Sequence, residues 1–189
     1  MQSNKTKTMV ECAIMLALAT ALSFVALWEM PMGGSVTLCS MLPIMLVALR
    51  HGPRWGFGTA FLYSLVQLAQ ALIKGNVFVW CETADTVIIC ALFDYILPFT
   101  ALGLVSLFKT DRFRFFYAGM FASVTVRFLC HFVSGVVIWG QWAEGMSPYL
   151  YSLLYNGGFL LPELGLCLVA AVALLEVPRV RRLLLSETT

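Results

Sequence analysis

Charge is scarce in this chain. Lys, Arg, Asp and Glu make up 12% of its 189 residues, about half the share of an ordinary soluble domain. No polar linker, low-complexity tract or soluble repeat interrupts it. A GxxxxGK[ST] phosphate loop, an HExxH zinc pair and a GxSxG nucleophile turn are all missing. The chain is therefore not expected to be an ATPase or an enzyme, and it implies no cofactor. Glycine- or proline-broken spans in matched halves, the mark of a self-sufficient secondary transporter, are missing too. The six cysteines, at 12, 39, 81, 90, 130 and 167, form no CxxC pair. They read as small hydrophobes rather than metal ligands. Nothing points to a nucleic-acid partner.

Apolar residues fill the remaining space. Hydrophobic residues are 60% of the chain, and the runs Met30 to Leu49 and Trp55 to Ile73 contain no charge. About 20 apolar residues cross a bilayer core. The pattern predicts an all-α integral membrane protein, a six-helix bundle forming one domain over residues 1–189. The spans fall at about 8–28, 35–49, 55–73, 86–108, 115–139 and 149–177. Pro31, Gly33 and Gly34 open a short loop after the first span, and Arg50 to Arg54, with Gly52 and Pro53 between, reads as a tight turn. The first run continues to Trp28 without an early small-residue cleavage site, so a removable leader is not expected.

Basic residues cluster at one side of this layout. Lys5, Lys7, Arg50, Arg54, Lys109, Arg112, Arg114, Arg179, Arg181 and Arg182 account for ten of the twelve Lys and Arg residues. They fall on the N-terminus, the loops after spans two and four, and the C-terminus. Positive charge stays in the cytoplasm, so both termini are expected there. Lys74 lies on the opposite side, and Arg127 lies within a span.

Ionisable groups inside spans are costly and mark function or pairing. Four occur: Asp94, Arg127, His131 and Glu163. With about 1.5 Å per residue, they lie about 22, 20, 25 and 24 Å from the cytoplasmic boundary. One layer in the outer half of the membrane therefore receives all four. Arg127, His131, Gly135 and Trp139 recur every four residues, so they share a helical stripe. Arg127 reads either as part of this wall or as a structural ion-pair partner of Glu163. With histidine neutral, the layer carries one surplus negative charge, and Asp94 is expected to offset a cationic ligand.

Aromatic residues collect at the same end. Tyr149, Trp142 and Trp55 suit an interfacial belt, whereas Tyr95 stands beside the buried Asp94. With Trp139, Tyr151 and Tyr155, it suits a planar cation held by stacking and cation–π attraction. In span one, Ala13, Ala17 and Ala21 form a small-residue stripe, which suits close packing against another helix inside the chain or in a partner.

Several runs together carry a family resemblance. They are Pro31 to Thr37, Leu42-Pro43-Ile44, Ala48 to Gly52, Phe93-Asp94-Tyr95, His131 to Trp139 and Tyr151 to Asn156. In this order the chain resembles the thiamine-binding S-components of energy-coupling factor (ECF) transporters, over essentially all six spans. The resemblance implies a multi-pass protein of a bacterial cell membrane. It would bind thiamine near the outer face and dock on a transmembrane coupling protein served by two ATPases.

By the same resemblance, Asp94 offsets the charge of thiamine with Tyr95 beside it, and His131 and Trp139 flank the rings. Gly135 gives close backbone access, and Tyr151 and Asn156 hydrogen-bond the polar edges. Ala13 and Ala17 fall on the family's docking motif. Some relatives carry Glu where this chain has Asp94 and a bulky ring where it has Gly34. The connection from Asn76 to Asp85 is longer than in some relatives, with Trp80 as its candidate aromatic. An S-component for another vitamin or precursor, such as a pyrimidine or riboflavin, is the alternative. A small intramembrane enzyme using Asp94, His131 and Glu163 is more distant, for want of a nucleophile or metal spacing.

Overall fold

The computed structural model describes residues 2–31, 33–75, 78–108 and 113–185. In chain order these form helix α1 (Gln2–Ser23), a hairpin of β1 (Ala26–Glu29) and β2 (Ser35–Thr37), and helices α2 (Leu42–Lys74) and α3 (Ala84–Phe108). Helices α4 (Phe113–Val137), α5 (Pro148–Glu176) and the short α6 (Pro178–Leu185) follow. Among the described residues, five helical stretches are long and apolar enough to cross a membrane: Lys5–Ser23, Leu42–Lys74, Ala84–Phe108, Arg114–Val137 and Pro148–Glu176.

The beginning of the chain departs from the predicted layout. Helix α1 stops at Ser23 rather than continuing to Trp28, because β1 pairs antiparallel with β2, Trp28 opposite Val36 and Glu29 opposite Ser35. Strand pairing thus takes up residues 35–37, which the apolar pattern assigns to the second span, and α2 starts only at Leu42. Each strand is too short to show an alternation distinguishable from a helix's apolar run. Of the loop expected from Lys109 to Arg114, residues 109–112 lie outside the described residues, while Phe113 and Arg114 already belong to α4.

The predicted tight turn at 50–54 occurs inside α2. Gly52, at φ 77° and ψ −171°, breaks the helix, and glycine reaches that backbone region without the cost of a Cβ. Beyond the break the chain reverses sharply: a Cβ on Gly56 would lie 2.8 Å from the Cα of Ala48. At the same end, Glu11 Oε2 lies 3.0 Å from both Arg50 Nε and His51 Nε2. Arg50 also donates to the Leu183 carbonyl of α6. Charged groups thus tie α1, the α2 bend and α6 together at the basic end.

Helix α3 is irregular throughout its length. Thr83 caps it, accepting from the Thr86 amide at 3.3 Å, while Thr86 Oγ1 accepts from the Thr83 amide at 3.1 Å. This reciprocal pair is a capping box. Residues Ala91–Ile96 then widen into a π turn, Leu97–Thr100 return to α, and Ala101–Phe108 tighten to 3₁₀. Its last segment presses on α2: a Cβ on Gly103 would meet the Phe57 ring at 2.6 Å and the Phe57 Cα at 2.8 Å.

The core joins Met41, Ile44, Met45 and Leu49 of the first α2 arm and its approach to Leu102, Val105, Phe116, Met120, Leu160 and Cys167. Leu62, Leu129, Leu154 and Leu161 face outward, as lipid-exposed positions do. Gly103→Ala should force α2 and α3 apart and cost about 1–3 kcal/mol. The check is the thermal midpoint of the detergent-solubilised protein, which should fall by several degrees; an unchanged midpoint would contradict this packing.

Candidate functional site

The π turn at Ala91–Ile96 carries Asp94. One residue more in the hydrogen-bonded ring than in an α-helix shifts the register, and the Leu97 amide reaches back five residues to Leu92. Such turns recur at functional sites. Here the turn brings Asp94 to the polar stripe of α4. His131 Nδ1 lies 3.0 Å from Asp94 Oδ1. Ser134 Oγ donates to Oδ2 at 2.5 Å, and Trp139 Nε1, in the 3₁₀ turn Trp139–Trp142, donates to the same oxygen at 3.4 Å. Three donors thus converge on one carboxylate whose side chain is 13% exposed.

The other face of His131 settles its tautomer. Arg127 Nε donates to His131 Nε2 at 3.3 Å, and a guanidinium can only donate. Nε2 is therefore the acceptor, the proton sits on Nδ1, and Nδ1–H donates to Asp94. A neutral imidazole links a cation to an anion. The remainder of Arg127 is fixed from behind: its guanidinium carbon lies 4.3 Å from the Phe99 ring centroid, and Nη1 approaches Met41 Sδ at 2.7 Å.

This corrects one expectation. Arg127 and Glu163 form no ion pair among the described residues. Glu163, 1% exposed, instead accepts from Thr37 at 2.5 Å and from Ser40 at 3.4 Å. Those hydroxyls stand where β2 runs into α2, so Glu163 anchors the hairpin to α5 rather than closing a helix pair. Depth alone could not separate the two arrangements, because Glu163 lies in the same layer.

A cavity of about 180 Å³ opens above these groups. Asp94, Tyr95, Arg127, His131, Gly135 and Trp139 line one side. Tyr151, Ser152, Tyr155, Asn156 and Phe159 of α5 line another, and Gly34 lines the hairpin side. Tyr151, Tyr155 and Phe159 recur every four residues, with ring centroids 5.6 and 6.3 Å apart, and form an aromatic ladder. Phe159 also meets the His131 ring edge-on at 5.8 Å.

Two glycines allow the close approaches. Gly34, at φ +60°, lies so near Phe159 that a Cβ would stand 2.9 Å from its ring; a bulky residue does not fit this backbone. Gly135 faces α5, where a Cβ would run into Ser152 Oγ and come within 2.8 Å of Ser152 Cβ. Its bare backbone serves the α4–α5 crossing as well as the cavity. Asn156 Nδ2 crosses the same contact, donating to the His131 carbonyl at 3.2 Å and to the Ser152 carbonyl at 2.9 Å.

Trp80 is not among the cavity's lining residues. It packs edge-on against Trp142, centroids 5.1 Å apart, while Phe78 of the same turn stacks on Tyr95 at 5.9 Å. Ala13 and Ala17 are exposed on α1, far along the chain from the cavity-lining segments. Among the described residues no three His, Cys, Asp or Glu side chains gather as a metal cluster.

The structure adds site residues that the sequence reading passed over. Ser134, three residues past His131, is fully buried and supports Asp94 from behind the cavity lining. Gln67 and Gln70 of α2 line the cavity, with Glu29 and Lys74 toward its rim. Two amides within the uncharged run from Trp55 to Ile73 were the available signal.

Relatives of known name match this chain along nearly its whole length. It is 31% identical to the thiamine transporter ThiT of Bacillus subtilis (strain 168), covering 94% of this chain and 95% of the relative. The thiamine transporter ThiT of Lacticaseibacillus paracasei is 26% identical, over 94% and 91%. A solved structure of ThiT from Listeria monocytogenes superposes with a TM-score of 0.73 at 22% identity, covering 94% of this chain and 98% of that one, which establishes a shared fold. The family model described as "Thiamine transporter protein (Thia_YuaJ)" matches residues 9–181. The chain is thus a multi-pass membrane protein that belongs to the thiamine transporter (Thia_YuaJ) family.

Proposed function

We propose that this chain is the substrate-binding S-component of an ECF-type importer and holds thiamine in the Asp94 cavity. The observation that carries this reading is Asp94 itself, a carboxylate in an apolar protein beside a cavity walled by Tyr95, Trp139, Tyr151 and Tyr155. Thiamine presents a permanently cationic thiazolium ring and a flat aminopyrimidine. Asp94 supplies the counter-charge, and the aromatic faces supply stacking and cation–π attraction. Asn156 and Tyr151 take polar edges, and His131 holds Asp94 in position.

Six crossings with both termini in the cytoplasm fit this role. The fold-back at Gly52 makes α2 two arms rather than one rod, and the basic residues gather at the bend and the C-terminal helix. The cavity then opens at the outer face. Catalysis is not part of the reading; energy comes from a coupling protein and two ATPases. Helix α1 is the docking element, because Ala13, Ala17 and Ala21 are exposed beside Met9, Val10, Ile14 and Leu18. Small residues at this spacing let another membrane helix come close.

Four measurements test the reading. Thiamine should quench the tryptophan fluorescence of the purified protein, with Trp139 as reporter; no quenching at micromolar thiamine would sink it. Asp94→Asn should weaken binding about thirtyfold or more, since stranding one partner of a desolvated charge pair costs about 2–5 kcal/mol. A thiamine analogue with a neutral ring in place of thiazolium should bind the parent weakly and lose little further with Asp94→Asn. For docking, Ala13→Trp with Ala17→Trp should abolish thiamine uptake by cells while the purified variant binds thiamine as the parent does. Unimpaired uptake would remove these alanines from the interface.

A further inference from the structure

Several of the polar groups that line the cavity are already engaged within the protein. Asp94 receives three donors, Arg127 is held by His131, Met41 and Phe99, and Asn156 Nδ2 is taken up by α4 and α5, which leaves its Oδ1 for a ligand. Gln70 is also held, since its Nε2 donates to Ser23 Oγ at 3.2 Å. Gln67 differs. Its amide nitrogen is covered from solvent and has no hydrogen-bond partner. Among the described cavity-lining residues it is the one buried side-chain polar atom left without a partner.

Its surroundings keep it there. Gln67 is one turn from Tyr63 and one turn from Ala71, both buried on the inner face of α2. Tyr63 is fully buried and packs edge-on against Phe99 at 5.5 Å, which fixes this face of the helix. A covered amide without a partner is unfavourable and rare in folded proteins. A ligand acceptor arriving in the cavity would satisfy it.

We propose that Gln67 is a specificity-determining residue that donates a hydrogen bond from Nε2 to a neutral acceptor on the ligand. This rests on the thiamine reading for the ligand's identity. Thiamine offers two kinds of neutral acceptor, the pyrimidine ring nitrogens and the hydroxyl oxygen. The donor lies on α2, a different element from the α3 turn that carries Asp94 and the α4 stripe that holds it, so on this proposal it reads a different edge of the ligand from the one that carries the charge. A site that binds an acceptor through a buried donor discriminates against ligands lacking it, because the donor is then stranded.

The test is thiamine affinity by fluorescence titration of the full-length protein in detergent. It compares the parent with Gln67→Met, which keeps length and helix propensity but removes the donor. Binding should weaken about tenfold in the variant. Analogues with CH in place of either pyrimidine ring nitrogen, and one without the hydroxyl, identify the acceptor. One should bind the parent about tenfold more weakly than thiamine, and that difference should vanish in Gln67→Met, as in any double-mutant cycle. Affinity within twofold of the parent in Gln67→Met would overturn the proposal. So would a loss of equal factor for thiamine and every analogue, which marks packing alone. Should the variant fail to fold, the parent decides: equal affinity for thiamine and all analogues overturns the proposal. A parent that does not bind thiamine at all would defeat the thiamine reading itself, a result distinct from the other three.

Discussion

A neutral histidine between a buried arginine and a buried aspartate is the arrangement on which the rest of the site depends. An isolated carboxylate or guanidinium in an apolar interior costs several kcal/mol of lost hydration. Neither Asp94 nor Arg127 stands alone. Arg127 donates to His131, His131 donates to Asp94, and Ser134 and Trp139 complete the aspartate's shell. The tautomer follows from Arg127 having no acceptor to offer.

The backbone irregularities stand around this centre, where membrane physics allows them. Non-helical backbone is tolerated at depth when buried in protein or lining a cavity. The π turn presents Asp94, the β1–β2 hairpin sets Gly34 on Phe159, and Thr37 at the end of β2 donates to Glu163. Glu163 therefore supports the site without lining it. It does so by holding the hairpin's end to α5, next to the Gly34–Phe159 contact that lines the cavity.

The legible parts were those written in spacing and polarity. Apolar run length located the long helices, and four-residue spacing put Arg127, His131, Gly135 and Trp139 on one stripe. Depth arithmetic drew Asp94 from a different helix into their layer. Partner choice was not legible. Charge counting offers Glu163 to Arg127, whereas the arginine is held by an aromatic face, a thioether and an imidazole, none of which carries a formal charge. The hairpin was hidden for another reason: strands of four and three residues span only about one period of the helical pattern that surrounds them. The π turn has no signature in single residues at all, since it changes register without changing composition.

The contacts already made within the polar wall have a consequence for selectivity. A ligand that had to break the Asp94–Ser134 or His131–Arg127 contacts would lose much of what it gained, because each buried group left unpaired carries its own penalty. A favourable ligand uses what remains: the negative field and spare acceptor capacity of Asp94, the aromatic faces of α5 and Trp139, and the unpaired amide of Gln67. Those remainders describe a flat cation with a neutral acceptor on a separate edge. An anion of the same shape meets Asp94 with the wrong sign, and a plain aromatic cation leaves Gln67 stranded. On the proposed reading, the same carboxylate both organises the wall and disfavours anions.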